Sequence, residues 1–250
     1  NEHLTETPVE SVNCKFVTLP TLSVPSYNYI KLNFSSTREL QFLINQNGGQ
    51  IPASVVPPSL KGEIVVDYGN GERDVYETTY EPAANNDYKI SEGSINSIKI
   101  FPYDEPRVVT LWGDIHGLQV KGPNFTTGGT NTTAYRVTNV EINGMSSLLD
   151  TGYMLRDHSL LTSVDLSSFD SSNLGNVSGM FMSCTSLETV NLSGFNTSNL
   201  KSLYALFYGC TNLKTIINIE NINTSSVINL QSLFWHCGEL TSLDLSKWDV

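Results

Sequence analysis

Residues 187–210 read LETVNLSGFNTSNLKSLYALFYGC, and residues 161–184 read LTSVDLSSFDSSNLGNVSGMFMSC. The two stretches share apolar residues, polar residues and the closing cysteine at the same places, so the chain is internally repetitive, and repetition decides the fold before any other feature. Leu161, Leu187, Leu213 and Leu240 open four copies at spacings of 26, 26 and 27 residues, and Cys184, Cys210 and Cys237 close three at spacings of 26 and 27. The extra residue of the third interval falls between Ile216 and Ile219, where the other copies take a two-residue step from Val164 to Leu166 and from Val190 to Leu192. A shorter copy precedes these, with Val137, Val140, Ile142 and Met145 in the leading apolar positions and His158 in the place of the cysteine. The last copy, LTSLDLSKWDV, has its strand positions Leu243 and Leu245 and its Trp248 but no second half, and the chain is expected to continue beyond Val250 or to be covered there.

Each copy begins with L-x-x-V-x-L, the alternation of a short strand. Its later apolar residues (Leu174, Val177, Met180 and Phe181, then Leu200, Leu203, Leu206 and Phe207) recur at steps of three and four, as on one face of a short helix. The preceding S-S-N or T-S-N offers hydroxyl and amide acceptors for a helix N-cap. A unit of this size cannot bury two apolar faces alone, whereas stacked units bury a continuous core. The expected architecture is therefore a right-handed α/β repeat solenoid, with repeats at about 137–160, 161–186, 187–212, 213–239 and an incomplete 240–250.

The strand pattern fits leucine-rich repeats. The longer run VDLSSFDSSNLGNVSGMFMSCTSLETVNLSGFNTSNL resembles the BspA-like leucine-rich-repeat surface proteins of bacteria, and the resemblance covers residues 137–250. It implies an extracellular binding or adhesion role and no reaction. Where most leucine-rich repeats carry Asn or Cys after the strand, this chain has Met145, Phe169, Phe195, Ile222 and Trp248, so a stacked apolar column is expected there.

Residues 1–24 read as a leader or linker, and residues 25–107 as an all-β region, expected to be a β-sandwich ahead of a repeat domain at 108–250. Short alternating runs at 29–34, 40–44, 64–67, 88–90, 97–101 and 108–112 are separated by turn signals such as NGG, VPP and YGNGE. The segment VDYGNGERDVYETTYEPAANNDYKI resembles PKD-like domains, which implies a hairpin turn at Gly69–Gly71 flanked by Asp67 and Tyr68, with Tyr80 and Tyr88 in the core. LWGDIHGLQV (111–120) is read as the start of the repeats, and GPNFTTGGTNTT (122–133) as an exposed loop.

Composition narrows the function. The net charge of −11 is divided between residues 1–136, with ten basic and fifteen acidic side chains, and the remainder, with four and ten. Nucleic acid and anionic membrane both need basic patches, so neither is an expected partner. No apolar run approaches the roughly 18 residues of a spanning helix, so no direct membrane insertion is expected. The chain starts at Asn1 and is read as trimmed of any export signal or anchor, with an extracellular or cell-surface location. Cys184, Cys210 and Cys237 share one repeat position and are expected as free, buried thiols, while Cys14 has no evident partner. Nothing calls for a cofactor or a metal.

No hydrolase elbow, zincin, P-loop or dinucleotide fingerprint occurs. Asp67, Asp74, Asp165 and Asp244 can be imagined as paired carboxylates of a glycosidase, but Asp165 and Asp244 are better explained as solvated repeat positions. The chain is read as non-enzymatic. Its expected contact surface is the polar strand face, with Ser163, Thr189, Thr215 and Ser242 in one column and Asp165, Asn191, approximately Asn218, and Asp244 in the next. A second candidate is the aromatic set Tyr204, Tyr208 and Trp235. The expected ligand is an extracellular host protein or a glycan. The alternatives are a structural spacer that displays other domains and, third, a glycan-directed enzyme.

Overall fold

The computed structural model describes residues 25–35, 40–45, 51–52, 54, 56, 59–83, 86–90, 97–100, 105–121 and 137–249. The leader with Cys14, the NGG turn and the 122–133 loop lie outside the described residues. Within them the alternating runs form β1 (Tyr29–Phe34), β2 (Leu40–Ile44), β3 (Lys61–Asp67), β5 (Tyr88–Ile90), β6 (Ser97–Ile100) and β7 (Arg107–Gly113), to which the structure adds β4 (Arg73–Pro82), the longest, and β8 (Leu118–Lys121). The hairpin of β3 and β4 turns at Gly69–Gly71, where the Asp67 carboxylate accepts a hydrogen bond from the Gly69 amide at 2.8 Å. The repeats contribute β9 (Val137–Asn143), β10 (Ser163–Asp165), β11 (Thr189–Asn191) and β12 (Thr215–Ile217).

These strands do not divide into a sandwich and a separate stack. They join in one nine-stranded mixed sheet in the order β12-β11-β10-β9-β1-β7-β3-β4-β5, with β6-β2-β8 as a second, small sheet. β9 to β12 run parallel to one another, and β1 lies between β9 and β7, antiparallel to both. Ile30, Leu32, Phe42, Ile64, Leu111 and Val120 share one apolar core with Val140, Val164, Val190 and Ile216.

The expected α/β solenoid beside an independent β-sandwich is thus overturned. Among the described residues there is no α-helix, and the one named helical element is a 3-10 turn at Ile219–Asn221. Each expected helix is instead a ribbon of consecutive turns. In the copy that ends at Cys184, the amides of Met180, Met182 and Cys184 donate to carbonyls three residues back (Val177, Gly179 and Phe181) at 3.0–3.1 Å. The alternate amides of Gly179, Phe181 and Ser183 donate outward, to the carbonyls of Tyr204, Leu206 and Tyr208 in the next copy. A helix would use all of these donors on itself and leave none for the neighbour.

The ribbon requires left-handed backbone at every fourth residue. Tyr153 and Asp157, Gly179 and Ser183, Ala205 and Gly209, and Ser232 and His236 all have φ between +52° and +73°. Gly179 also needs to lack a side chain, because a Cβ there would stand 2.5 Å from the Tyr153 ring. This ribbon buries Val177, Met180, Phe181 and Cys184, at the same steps of three and four that a helix would bury.

The corners between strand and ribbon are closed by side chains. Asp165, Asn191 and Asp244 accept from the amides of Ser167, Ser193 and Ser246 at 2.9–3.1 Å. Asp170, Asn196 and Asn223 do the same for Ser172, Ser198 and Ser225, and Asp150, Asn176 and Asn229 for Gly152, Ser178 and Gln231. These Asx turns account for the richness in Asn, Asp and Ser. The hydroxyls expected as helix caps are buried rungs between copies. Thr197 donates to the Asn223 carbonyl at 2.8 Å, and Thr224 to that of Asp249 at 3.1 Å. The expected apolar column forms: Met145, Phe169, Phe195 and Ile222 are buried, and the rings of Phe169 and Phe195 lie 6.3 Å apart.

Candidate functional site

Alternation along each strand sends Leu32, Val109, Val140 and Val164 into the core and their neighbours to the outer side of the large sheet. Because β1 bridges the two regions, those outer residues align in rows that cross it. One row runs Asn191, Asp165, Glu141, Lys31, Thr110, Asp67, Arg73. A second runs Thr215, Thr189, Ser163, Asn139, Asn33, Val108, and a third Asn143, Tyr29, Trp112, Val65, Val75.

The expected columns are therefore partly assembled. Parallel pairing places Ser163, Thr189 and Thr215 side by side, and Asp165 beside Asn191. It does not place Asn218 next to Asn191. The register gives that place to Ile217, 42% exposed, and Asn218 takes a left-handed conformation that absorbs the extra residue. Ser242 and Asp244 are exposed but lie in no strand, so the last copy extends the columns without sheet pairing. The Asp244 carboxyl is held below its usual range by the Ser246 hydrogen bonds.

Where the rows cross β1, the chemistry changes. The Tyr29 hydroxyl donates to Glu141, which also pairs with Lys31 at 3.3 Å, and the bond to Glu141 is the main reason the Tyr29 phenol is raised. The Lys31 ammonium lies 4.8 Å from the Tyr29 ring centre. Arg73 pairs with Asp67 at 2.7 Å and its guanidinium stands 5.6 Å from the Trp112 ring. On the opposite, core side of the sheet, Asp74 accepts hydrogen bonds from the hydroxyls of Tyr68 and Tyr76.

Of the aromatic set, Tyr208 and Trp235 occupy one column and both meet His236 edge to face, at 6.2 and 5.5 Å, with Trp235 58% exposed. Tyr204 is half-buried in a different column, and its carbonyl accepts from Gly179.

One feature lies outside both candidates. A cleft of about 420 Å³ opens beside Trp112, the middle residue of the third row, lined by Pro25, Tyr27, Asn28, Trp112, Gly113, Asp114, Ser146 and Ser147. Behind it, the His116 ring is buried between the Ser147 carbonyl, 3.0 Å from Nδ1, and the Tyr80 hydroxyl, 2.7 Å from Nε2. A carbonyl only accepts, so the ring proton lies on Nδ1. Burial lowers the pKa of His116 and raises those of Asp114 and Tyr80. The W-G-D-I-H run at 112–116 was the available signal, but nothing in the sequence ties it to Tyr27 or to Ser146.

Among the described residues, no three His, Cys, Asp or Glu side chains are grouped to hold a metal ion, and no helix is long and apolar enough to cross a membrane. No curated protein and no solved structure matches the chain. Residues 149–250, less than half of the chain, match a protein family described as "Mycoplasma protein of unknown function, DUF285".

Proposed function

We propose that this protein is a non-enzymatic binding protein of the cell surface, which takes an extended host protein or glycan across the outer face of the large sheet. The observation that carries the reading is the continuity of that face: three rows of mainly polar, charged and aromatic side chains cross from the repeats through β1 into the first region, with valines at Val65, Val75 and Val108. Extended faces built from stacked repeats suit ligands that make many weak contacts. The resemblance of the repeats to bacterial surface proteins supports the location and the adhesive role. One oxygen of Asp165 serves its own turn, so the hydroxyl column is the better place to perturb binding.

The test is an array of extracellular-matrix proteins and glycans probed with wild type and with Thr189→Lys plus Thr215→Lys. These side chains face outward and hold no turn together. A ligand of the face loses at least about tenfold in affinity. An array silent for wild type leaves the spacer reading in its place.

A further inference from the structure

We infer that the cleft beside Trp112 is a binding site for a neutral saccharide, adjoining the third row of the sheet face at Trp112 and distinct from its hydroxyl column. Three chain segments build it: the residues before β1, the end of β7 with Asp114, and the first turn after β9. Its walls are fixed by hydrogen bonds that tie those segments to one another. The Asn28 side chain accepts from the Met145 amide at 3.0 Å, and the Ser147 hydroxyl donates to the Ile115 carbonyl at 3.0 Å. Asn45 donates to the Asp114 carbonyl at 3.1 Å, and Asn173 to the Ser146 carbonyl at 2.9 Å. Tyr27 lies against Gly144, where a Cβ would stand 2.7 Å from the ring. A site held in this way is formed before its ligand arrives, which lowers the ordering cost of binding.

The lining selects the ligand. Tyr27 (55% exposed) and Trp112 offer aromatic carbon for the C–H face of a sugar ring. Asn28 and the two serines offer amide and hydroxyl groups for its O–H groups, while the Asp114 carboxylate lies against Gly62 and takes a hydrogen bond from Tyr80. The volume falls in the range of small-ligand sites, about 300–1,000 Å³. No Lys, Arg or His lines the cleft, so nothing in its wall pairs with an anionic ligand. An extended peptide has no strand edge to join, because β1 and β7 are paired on both sides.

Calorimetry and saturation-transfer NMR on the whole chain test this, with methyl glycosides of glucose, galactose, mannose and N-acetylglucosamine, their β-linked disaccharides, sialic acid and choline as probes. At least one neutral saccharide is expected to bind. Tyr27→Ala, which removes an exposed ring, is expected to weaken it about tenfold or more. Thr189→Lys with Thr215→Lys is expected to leave it unchanged, which separates this site from the hydroxyl column. Silence across the neutral panel, binding of sialic acid or choline instead, or saccharide binding untouched by Tyr27→Ala overturns the inference.

Discussion

The thiol of Cys210 donates a hydrogen bond of 3.1 Å to the carbonyl of Phe181, one repeat earlier, and Cys184 and Cys237 repeat the contact with Leu155 and Phe207. Burial pushes all three thiols up, Cys237 the least, to about 11. Cys237 is half-buried while the other two are fully enclosed. A maleimide at pH 8 is therefore expected to label Cys237 first, with Cys184 and Cys210 reacting only after denaturation. Cys210→Ala is expected to cost about 1–2 kcal/mol in chemical unfolding. Equal labelling rates for the three would contradict the burial gradient.

The turn ribbon makes a prediction opposite to that of a helix. Ala205 sits at φ +52°, a conformation that glycine adopts more readily than alanine. Ala205→Gly is expected to be neutral or stabilising by up to about 1 kcal/mol, whereas the same change inside a helix costs about 1 kcal/mol. The far-ultraviolet circular dichroism spectrum is expected to lack the helical double minimum.

His158 fills the first cysteine position, fully buried, with its pKa lowered to about 4 chiefly by burial. The folded state therefore holds it neutral, while the unfolded chain protonates near 6.5. Its contribution to stability is complete above about pH 6.5 and is lost as the pH falls from there to 4, by about 3 kcal/mol. His158→Cys, which installs the residue of the later copies, is expected to flatten the unfolding curve across that window, leaving the part due to His116. An unchanged pH profile would sink the assignment.

Asp165 separates charge from turn chemistry. Its carboxylate takes the Ser167 amide at 2.9 Å, and Asn191 makes the same turn one copy later. Asp165→Asn is expected to leave thermal stability within about 0.5 kcal/mol of wild type, and Asp165→Ala or Asp165→Lys to lower it by about 1 kcal/mol. Exposure alone would predict that none of the three matters.

The stacking register was legible because identical residues at intervals of 26 mark equivalent positions, and β10, β11 and β12 pair accordingly. The ribbon was not, since Val177, Met180, Phe181 and Cys184 sit at steps that a helix and a series of four-residue turns share. Only backbone conformation distinguishes the two, and side-chain periodicity does not record it. The merger of the regions left no trace either: β1 meets β9 through Ile30 and Ile142, and pairing between such distant segments has no period. Of the site, the column of Ser163, Thr189 and Thr215 could be read directly. The displacement of Asn218 by Ile217 depended on which side of the extra residue the chain bulges, and the cleft depended on three segments that only the sheet brings together.

The central place of β1 governs the order in which the molecule can assemble. Ile30 is paired with Leu111 on one side and Ile142 on the other, so both partners are synthesised long after β1 itself. During translation this strand has neither edge satisfied until β7 emerges, and one edge stays open until the first repeat is complete. Contacts of such long sequence separation slow folding, and an open strand edge invites pairing with other chains. The strand is thus most exposed to misassembly before β7 emerges and stays half-exposed until β9 does, and the first described strand to be made is among the last to be enclosed.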